Sequence, residues 1–310
     1  MNNDLKILLR KISIFSIPVL LWIATVIVID PFNYFNISNV ISEKSKEKSA
    51  QRLNSLLFNS IKFKNNPVNN IIIGDSRIRK LPTKRIKELT NNDYFTFHSN
   101  AAKLNEIIDL FWLANEHEKL ENVIIGINFN LYNEFAYSNR VSDVKELINN
   151  PLIYIFNWNI IETVYLAIKN EIFGITKNKK RNKASFWEHT ITTIADNHYS
   201  KWKYPKNTVK KLKEMSEYCH NNNINLTFII VPHHNDFKQK VIEYNLADKE
   251  VEFKSEIKTL AKTIDFDFSN EITKCNECFS DPIHTTDSIS TIIVEDIFRE
   301  GEPIIGKLLQ

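Results

Sequence analysis

At 310 residues the chain is long enough for one large domain, or one domain with a sizeable insertion. Hydrophobic residues make up 43%, and only 5 glycines and 9 prolines occur, which excludes a disordered or fibrous chain. The 40 Lys and Arg against 37 Asp and Glu leave a net charge of +3, which makes no case for nucleic-acid binding.

The first element is an uncharged stretch from Ile12 to Ile29, preceded by Lys6, Arg10 and Lys11 and stopped by Asp30-Pro31. It is just long enough for a tilted membrane helix, which needs roughly 17–25 residues. Basic residues ahead of it place residues 1–11 in the cytoplasm and everything past Asp30 outside. A cleaved signal peptide competes with an uncleaved anchor, but no small-x-small cleavage site follows, and Val26 to Asp30 is bulky. Residues 30–66 are polar with scattered apolar points and read as a stalk and a helix leading into the main domain, 67–310.

That domain opens with an apolar strand, Val68 to Gly74, followed by a charged helix, Pro82 to Leu89. Tyr94 to Phe97 is a second strand, Ala101 to Glu116 a helix with one apolar side, and Asn122 to Ile127 a third strand. Residues 131–205 break the alternation. They hold aromatic stretches such as Tyr154 to Trp158 and a basic run from Lys177 to Lys183, and read as a helical insertion forming a lid or a substrate wall. A second small core with a solvated basic loop is the plainer reading. Alternation then resumes: helix Val209 to Asn221, strand Asn225 to Val231, helix Glu252 to Thr263, strand Ile264 to Phe268, helix Ser288 to Glu300. Continuous apolar strands separated by helices predict an α/β fold, a parallel sheet covered on both faces. In such sheets ligands bind at the carboxyl ends of the strands.

Three cysteines occur, Cys219, Cys275 and Cys278. Outside the cytoplasm a disulfide is favoured, either within Cys275-x-x-Cys278 or from one of these to Cys219, and the odd count leaves one thiol free. Half of a zinc site is the competing reading, but no second ligand pair follows. No metal or dissociable cofactor is required by the chemistry described next.

Two strings far apart carry that chemistry. Ile71-Ile72-Ile73-Gly74-Asp75-Ser76-Arg77 is a strand ending in Gly-Asp-Ser, and Asp281-Pro282-Ile283-His284 sets an acid three residues before a histidine. A serine hydroxyl is a poor nucleophile until a base takes its proton and a carboxylate holds the base in the right tautomer. Ser76, His284 and Asp281 supply those parts. Each string alone is weak, since Gly-Asp is ordinary turn chemistry and Asp-x-x-His is common in surface loops. His233-His234, at the end of the fourth strand, is a rival base or a substrate contact, against a plainer reading as an exposed loop pair. Arg77 and Arg79 are candidates to hold an anionic substrate group, with solvent the plainer destination for at least one. His98 reads as structural.

The pair of strings, in this order, resembles the SGNH (GDSL-type) family of serine esterases and acyltransferases over residues 68 to about 300. The resemblance implies a flavodoxin-like three-layer sandwich. It implies an oxyanion hole from the backbone N–H of Ser76, the side-chain amide of Asn128 in Gly126-Ile127-Asn128, and a backbone donor near Ala101. Two departures stand out. Ala101 or Ala102 replaces the glycine of the family's second block, and Phe129 follows Asn128, which makes Asn130 a rival for the amide role. An outward SGNH domain on an N-terminal anchor is similar to the teichoic-acid D-alanylation protein DltD and the alginate O-acetylation proteins. That likeness implies an acylated cell-surface or secreted glycan as substrate and a membrane-bound O-acyltransferase as partner. The alternatives are an inactive glycan-binding or scaffold domain, and a simple lipase or thioesterase.

Overall fold

The computed structural model describes residues 3–175 and 182–310. Most of the basic run expected from Lys177 to Lys183 lies outside the described residues. The protein is α/β, a mostly parallel sheet flanked by helices with one apolar N-terminal helix, and it divides into two compact units. One comprises Met1–Lys62 and Ser142–Asn178, the other Phe63–Val141 and Lys179–Gln310. The stretch read as a single insertion, 131–205, is therefore shared between them.

In the first unit the apolar helix runs from Asn3 to Ile29, longer than the uncharged stretch alone, with Pro18 inside it. Asp4–Ile29 is long and apolar enough to cross a membrane. Helix and apolar run stop together at Asp30, whose backbone is left-handed at φ 40°. The Asp30 carboxylate accepts the N–H groups of Tyr34, Phe35 and Asn36 at 2.7, 3.0 and 2.7 Å, folding the chain back on itself. Tyr34 then stacks on Tyr154 with ring centroids 4.1 Å apart. Trp22 Nε1 donates to the Ile155 carbonyl at 3.0 Å, so the aromatic run Tyr154 to Trp158 is partly a packing surface.

The second unit holds a six-stranded sheet in the order β2-β1-β3-β4-β5-β8. The strands are β1 (Asn70–Gly74), β2 (Tyr94–His98), β3 (Asn122–Gly126), β4 (Asn225–Ile230), β5 (Lys262–Asp265) and β8 (Lys307–Leu309). A separate two-stranded hairpin joins β6 (Phe279–Asp281) and β7 (His284–Thr285). β1 to β5 are all parallel, as expected of strands with unbroken apolar runs, and β8 is antiparallel to β5. Short β8, the hairpin, and helix Asn235–Glu243 escaped the sequence reading. The helix expected over Glu252 to Thr263 spans Ala247–Ile257, where Asp248 and Glu250 suit its first turn.

Alternate residues of a strand point to opposite faces, so Ile72, Ile124 and Ile229 share one face. They pack with Ile86 of helix Thr83–Thr90 and with Ile293, Val294 and Ile297 of helix Asp287–Ile297. Helices Leu104–His117 and Lys206–Asn221 pack together beside β1 and β4, with Phe111 and Trp112 against Tyr218.

Two glycines at the carboxyl edge decide where the chain leaves β1. A Cβ on Gly74 would come within 2.9 Å of Ile78 Cγ1, and one on Gly126 within 2.5 Å of Ile78 Cγ2. Ile78, two residues past Ser76, is thus seated on the bare backbones of β1 and β3. Gly126→Ala is expected to destabilise the protein by about 1–3 kcal/mol through overpacking, read as a lower denaturant midpoint in unfolding of the full chain.

Candidate active site

Ser76 stands just past β1, between Asp75 and the single turn Ile78–Lys80. Its Oγ lies 2.8 Å from His284 Nε2. His284 Nδ1 lies 2.8 Å from Asp281 Oδ2 and 2.9 Å from Oδ1. The acid and the base are register partners across the β6–β7 hairpin, which explains their spacing of three. Asp281 Oδ1 also accepts the backbone N–H groups of Ile283 and His284 at 3.0 and 3.1 Å. Burial alone would raise the Asp281 pKa, but the bonds from His284 and these amides hold it below the usual carboxylate value. An ionised Asp281 can only accept, so Nδ1 carries the ring proton and Nε2 faces Ser76 as an acceptor. This arrangement can draw a proton from the serine hydroxyl.

The flanking residues lock the turn. Arg77 grips Asp75 with its backbone N–H and Nε on Oδ1 at 2.9 and 3.0 Å and NH2 on Oδ2 at 2.8 Å. Burial pushes the Asp75 carboxyl up, but Arg77 overcomes this and holds it below its ordinary value. Arg77 NH1 reaches Asn130 Oδ1 at 3.0 Å and His233 Nε2 at 2.6 Å. His233 Nδ1 meets Asp267 Oδ2 at 3.0 Å, and its backbone N–H donates to Asp267 Oδ1 at 2.9 Å. Lys238 and Lys254 close the chain by donating to the Asp267 carbonyl at 2.8 and 2.7 Å. Burial first, and the neighbouring cations Arg77 and Lys238, push the His233 pKa down against the pull of Asp267. A neutral His233 protonated on Nδ1 fits its role as acceptor from Arg77.

The reading of His233-His234 as an exposed loop pair is corrected, because both are buried. His233 belongs to the Arg77 chain. His234 caps helix Asn235–Glu243 through Nδ1 on Asp236 N–H and packs between Trp187 and Phe279. Neither lies within bonding distance of Ser76, and the imidazole on the serine is that of His284. Arg77 is buried and committed inward, so it does not present itself as the holder of an anionic substrate group, whereas Arg79 is exposed. Sequence reading did not single out Asp267. Its signal was an apolar strand whose exit alternates Asp265-Phe266-Asp267, two acids at the edge where ligands bind.

Of the oxyanion candidates, Asn128 is buried, and its amide donates one N–H to the Val231 carbonyl at 2.6 Å, leaving a second donor. Asn130 has its oxygen on Arg77, a holding contact rather than a free amide. Ala101 is exposed and left-handed at φ 53°, a backbone that favours glycine. Arg140 braces this loop by donating to the Asn100 carbonyl and to Glu106. Cys275 and Cys278 are bonded to each other just before the hairpin, so neither offers a thiolate to a metal. Cys219 is free and buried, and burial pushes its thiol up to about 12.

No family model matches this chain, and no curated protein does. Among solved structures, a protein described as a candidate platelet activating factor from Streptococcus pneumonia is similar over 80% of this chain and 94% of its own, at 7% identity and a TM-score of 0.43. A likeness that distant carries no argument about chemistry.

Asp281→Asn keeps an oxygen for the two hairpin amides but loses the ionised acceptor for Nδ1–H. It should slow modification of Ser76 by a fluorophosphonate by roughly 10³-fold with little change in thermal midpoint. Arg77→Lys loses the planar fork and leaves Asp75 and His233 short of partners. A loss of about 3 kcal/mol in chemical unfolding is expected, the order found when one partner of a buried pair is removed.

Proposed function

We propose that this protein is a membrane-anchored serine esterase or O-acyltransferase of SGNH type, acting through an acyl-serine on acyl esters of a cell-surface or secreted polysaccharide. The observation that carries the ester chemistry is the unbroken line from Ser76 Oγ through His284 to Asp281, at 2.8 Å on each link, at the carboxyl edge of a parallel sheet. Ser76 Oγ attacks the ester carbonyl while His284 Nε2 takes its proton. The tetrahedral oxyanion is met by the Ser76 N–H, the free N–H of Asn128 and the backbone at Ala101. Its collapse breaks the ester bond, and the His284 proton leaves with the alcohol. Water or a sugar hydroxyl then attacks the acyl-serine, giving its proton to His284, which returns it to Ser76.

The glycan substrate and a membrane-bound O-acyltransferase partner rest on the resemblance to the D-alanylation and alginate O-acetylation proteins. The anchor rests on helix Asn3–Ile29, whose basic N-terminal flank favours a cytoplasmic N-terminus and an extracytoplasmic site. A scaffold role has no comparable support, since an inert domain gains nothing from a serine, a base and an acid in bonding order.

The test is fluorophosphonate labelling of the full chain in detergent, read by intact mass. Wild type should gain one adduct, Ser76→Ala none, and His284→Ala a much slower one. A folded wild type that stays unlabelled would sink the proposal and favour a binding role.

A further inference from the structure

One cavity at the carboxyl edge of the sheet has a cation in its wall and no acid among its lining residues. Lys103, Asn133, Phe135, Asn197 and His198 line a hollow of about 240 Å³. That is below the range of drug-sized pockets and suits a single sugar ring. Lys103 comes from the loop leaving β2 and Asn133 and Phe135 from the loop leaving β3, the two strands on either side of β1, while Asn197 and His198 come from helix Ala195–Tyr199. Ser99 N–H donates to the Gly74 carbonyl at 3.3 Å, tying the β2 loop to the nucleophile strand. Arg77 NH1 on Asn130 ties in the β3 loop three residues before Asn133. The hollow therefore lies at the same carboxyl edge of the sheet as Ser76, and its His198 feels the charges of Asp75 and Arg77, the residues on either side of that serine.

Its polar groups divide into held and open. Asn133 is spent, donating to the His198 carbonyl at 2.8 Å and accepting from Phe135 and Lys203 N–H at 3.2 Å each. Lys103 is half-buried. Among the described residues its ammonium has no carboxylate or carbonyl partner. Glu106, three residues on, has its oxygens on Arg140 and on the Lys103 backbone N–H. His198 faces this cation: burial first, then Lys103 and Arg77, push its pKa down to about 4. At neutral pH the ring is uncharged and offers one donor and one acceptor, while Asn197 adds an exposed amide. Taking an ammonium partly out of water is costly unless an anion meets it.

We infer that this hollow is a subsite for a carboxylate or phosphate carried on one sugar-sized unit of the alcohol that gives or takes the acyl group. Lys103 is its counter-ion, and His198 and Asn197 face its hydroxyls. The inference rests on the acyl-Ser76 reading for its role in the reaction, but the binding it describes needs no turnover.

Binding is measured on the full chain in detergent by ligand-detected NMR, with methyl glucuronide, glucose 6-phosphate and neutral methyl glucoside. At least one anionic sugar should bind about tenfold tighter than the glucoside, the size of one charge-assisted bond. Which one does so identifies the anion. Lys103→Gln should abolish the preference, Lys103→Arg should keep it, and Lys119→Gln, at an exposed position elsewhere, should not move it. Equal binding of all three sugars to wild type, or a preference that survives Lys103→Gln, overturns the subsite. Labelling of Ser76 in the same sample separates the two claims. A labelled serine without anion preference removes the subsite alone, and selective binding with an unreactive serine removes the esterase reading alone.

Discussion

The structure turns on a close approach between Ile78 and two glycines. Ile78 occupies the space where side chains at Gly74 and Gly126 would sit. That contact forces the chain to turn sharply after Asp75 and leaves Ser76 at the mouth of the sheet, neither buried in the core nor free on a loop. Core packing tolerates little movement, because overpacked side chains cost about as much as most single mutations can. Ser76 is placed by exclusion, through what cannot fit beneath it.

His284 arrives by a different route. Asp281 and His284 find each other locally, across a hairpin of a few residues. Their meeting with Ser76 is long-range, and two helices set it. Helix Thr83–Thr90 follows the Ser76 turn, helix Asp287–Ile297 follows His284, and the two pack together through Ile86, Ile293 and Val294. Arg85 bonds Glu295 across them at 2.8 Å, and Lys80 donates to the Thr285 carbonyl at 3.1 Å. The exposed Arg85 pair adds little by itself, so the apolar seam carries the register. Each helix begins within a few residues of its catalytic candidate, which makes the seam an indirect ruler for the distance from serine to imidazole.

The legible part of this architecture was the part with short-range signals. Runs such as Ile71-Ile72-Ile73 announce buried parallel strands, and Gly74-Asp75-Ser76 announces the turn after one. Asp281 and His284 were visible because a hairpin brings residues three apart together. Partners from separate strands were not. Nothing local marks His233 as the acceptor of Arg77 or Asp267 as the partner of His233, since these contacts join the exits of β1, β4 and β5. The three-residue β8 carries too few alternations to stand out, and it pairs antiparallel only because the last turn folds back on Asp296, which binds the N–H groups of Ile304, Ile305 and Gly306. Exposure was misjudged at His233-His234 because polarity after a strand usually means solvent, whereas here a second layer of charges covers the strand ends.

That second layer bears on how an anionic substrate would be met. A guanidinium offers five N–H donors, and four of those of Arg77 are taken, two by Asp75, one by Asn130 and one by His233. Burying so many charges is expensive, and the cost is offset only while every member stays paired. A substrate carboxylate or phosphate that drew Arg77 away would strand Asp75 and His233 in the interior. The arginine beside Ser76 is therefore the wrong place to look for substrate recognition, despite its position in the sequence. A cation with no such commitments can meet an anion without breaking anything, and at the same edge of the sheet Lys103, half-buried in the loop after β2, is such a cation.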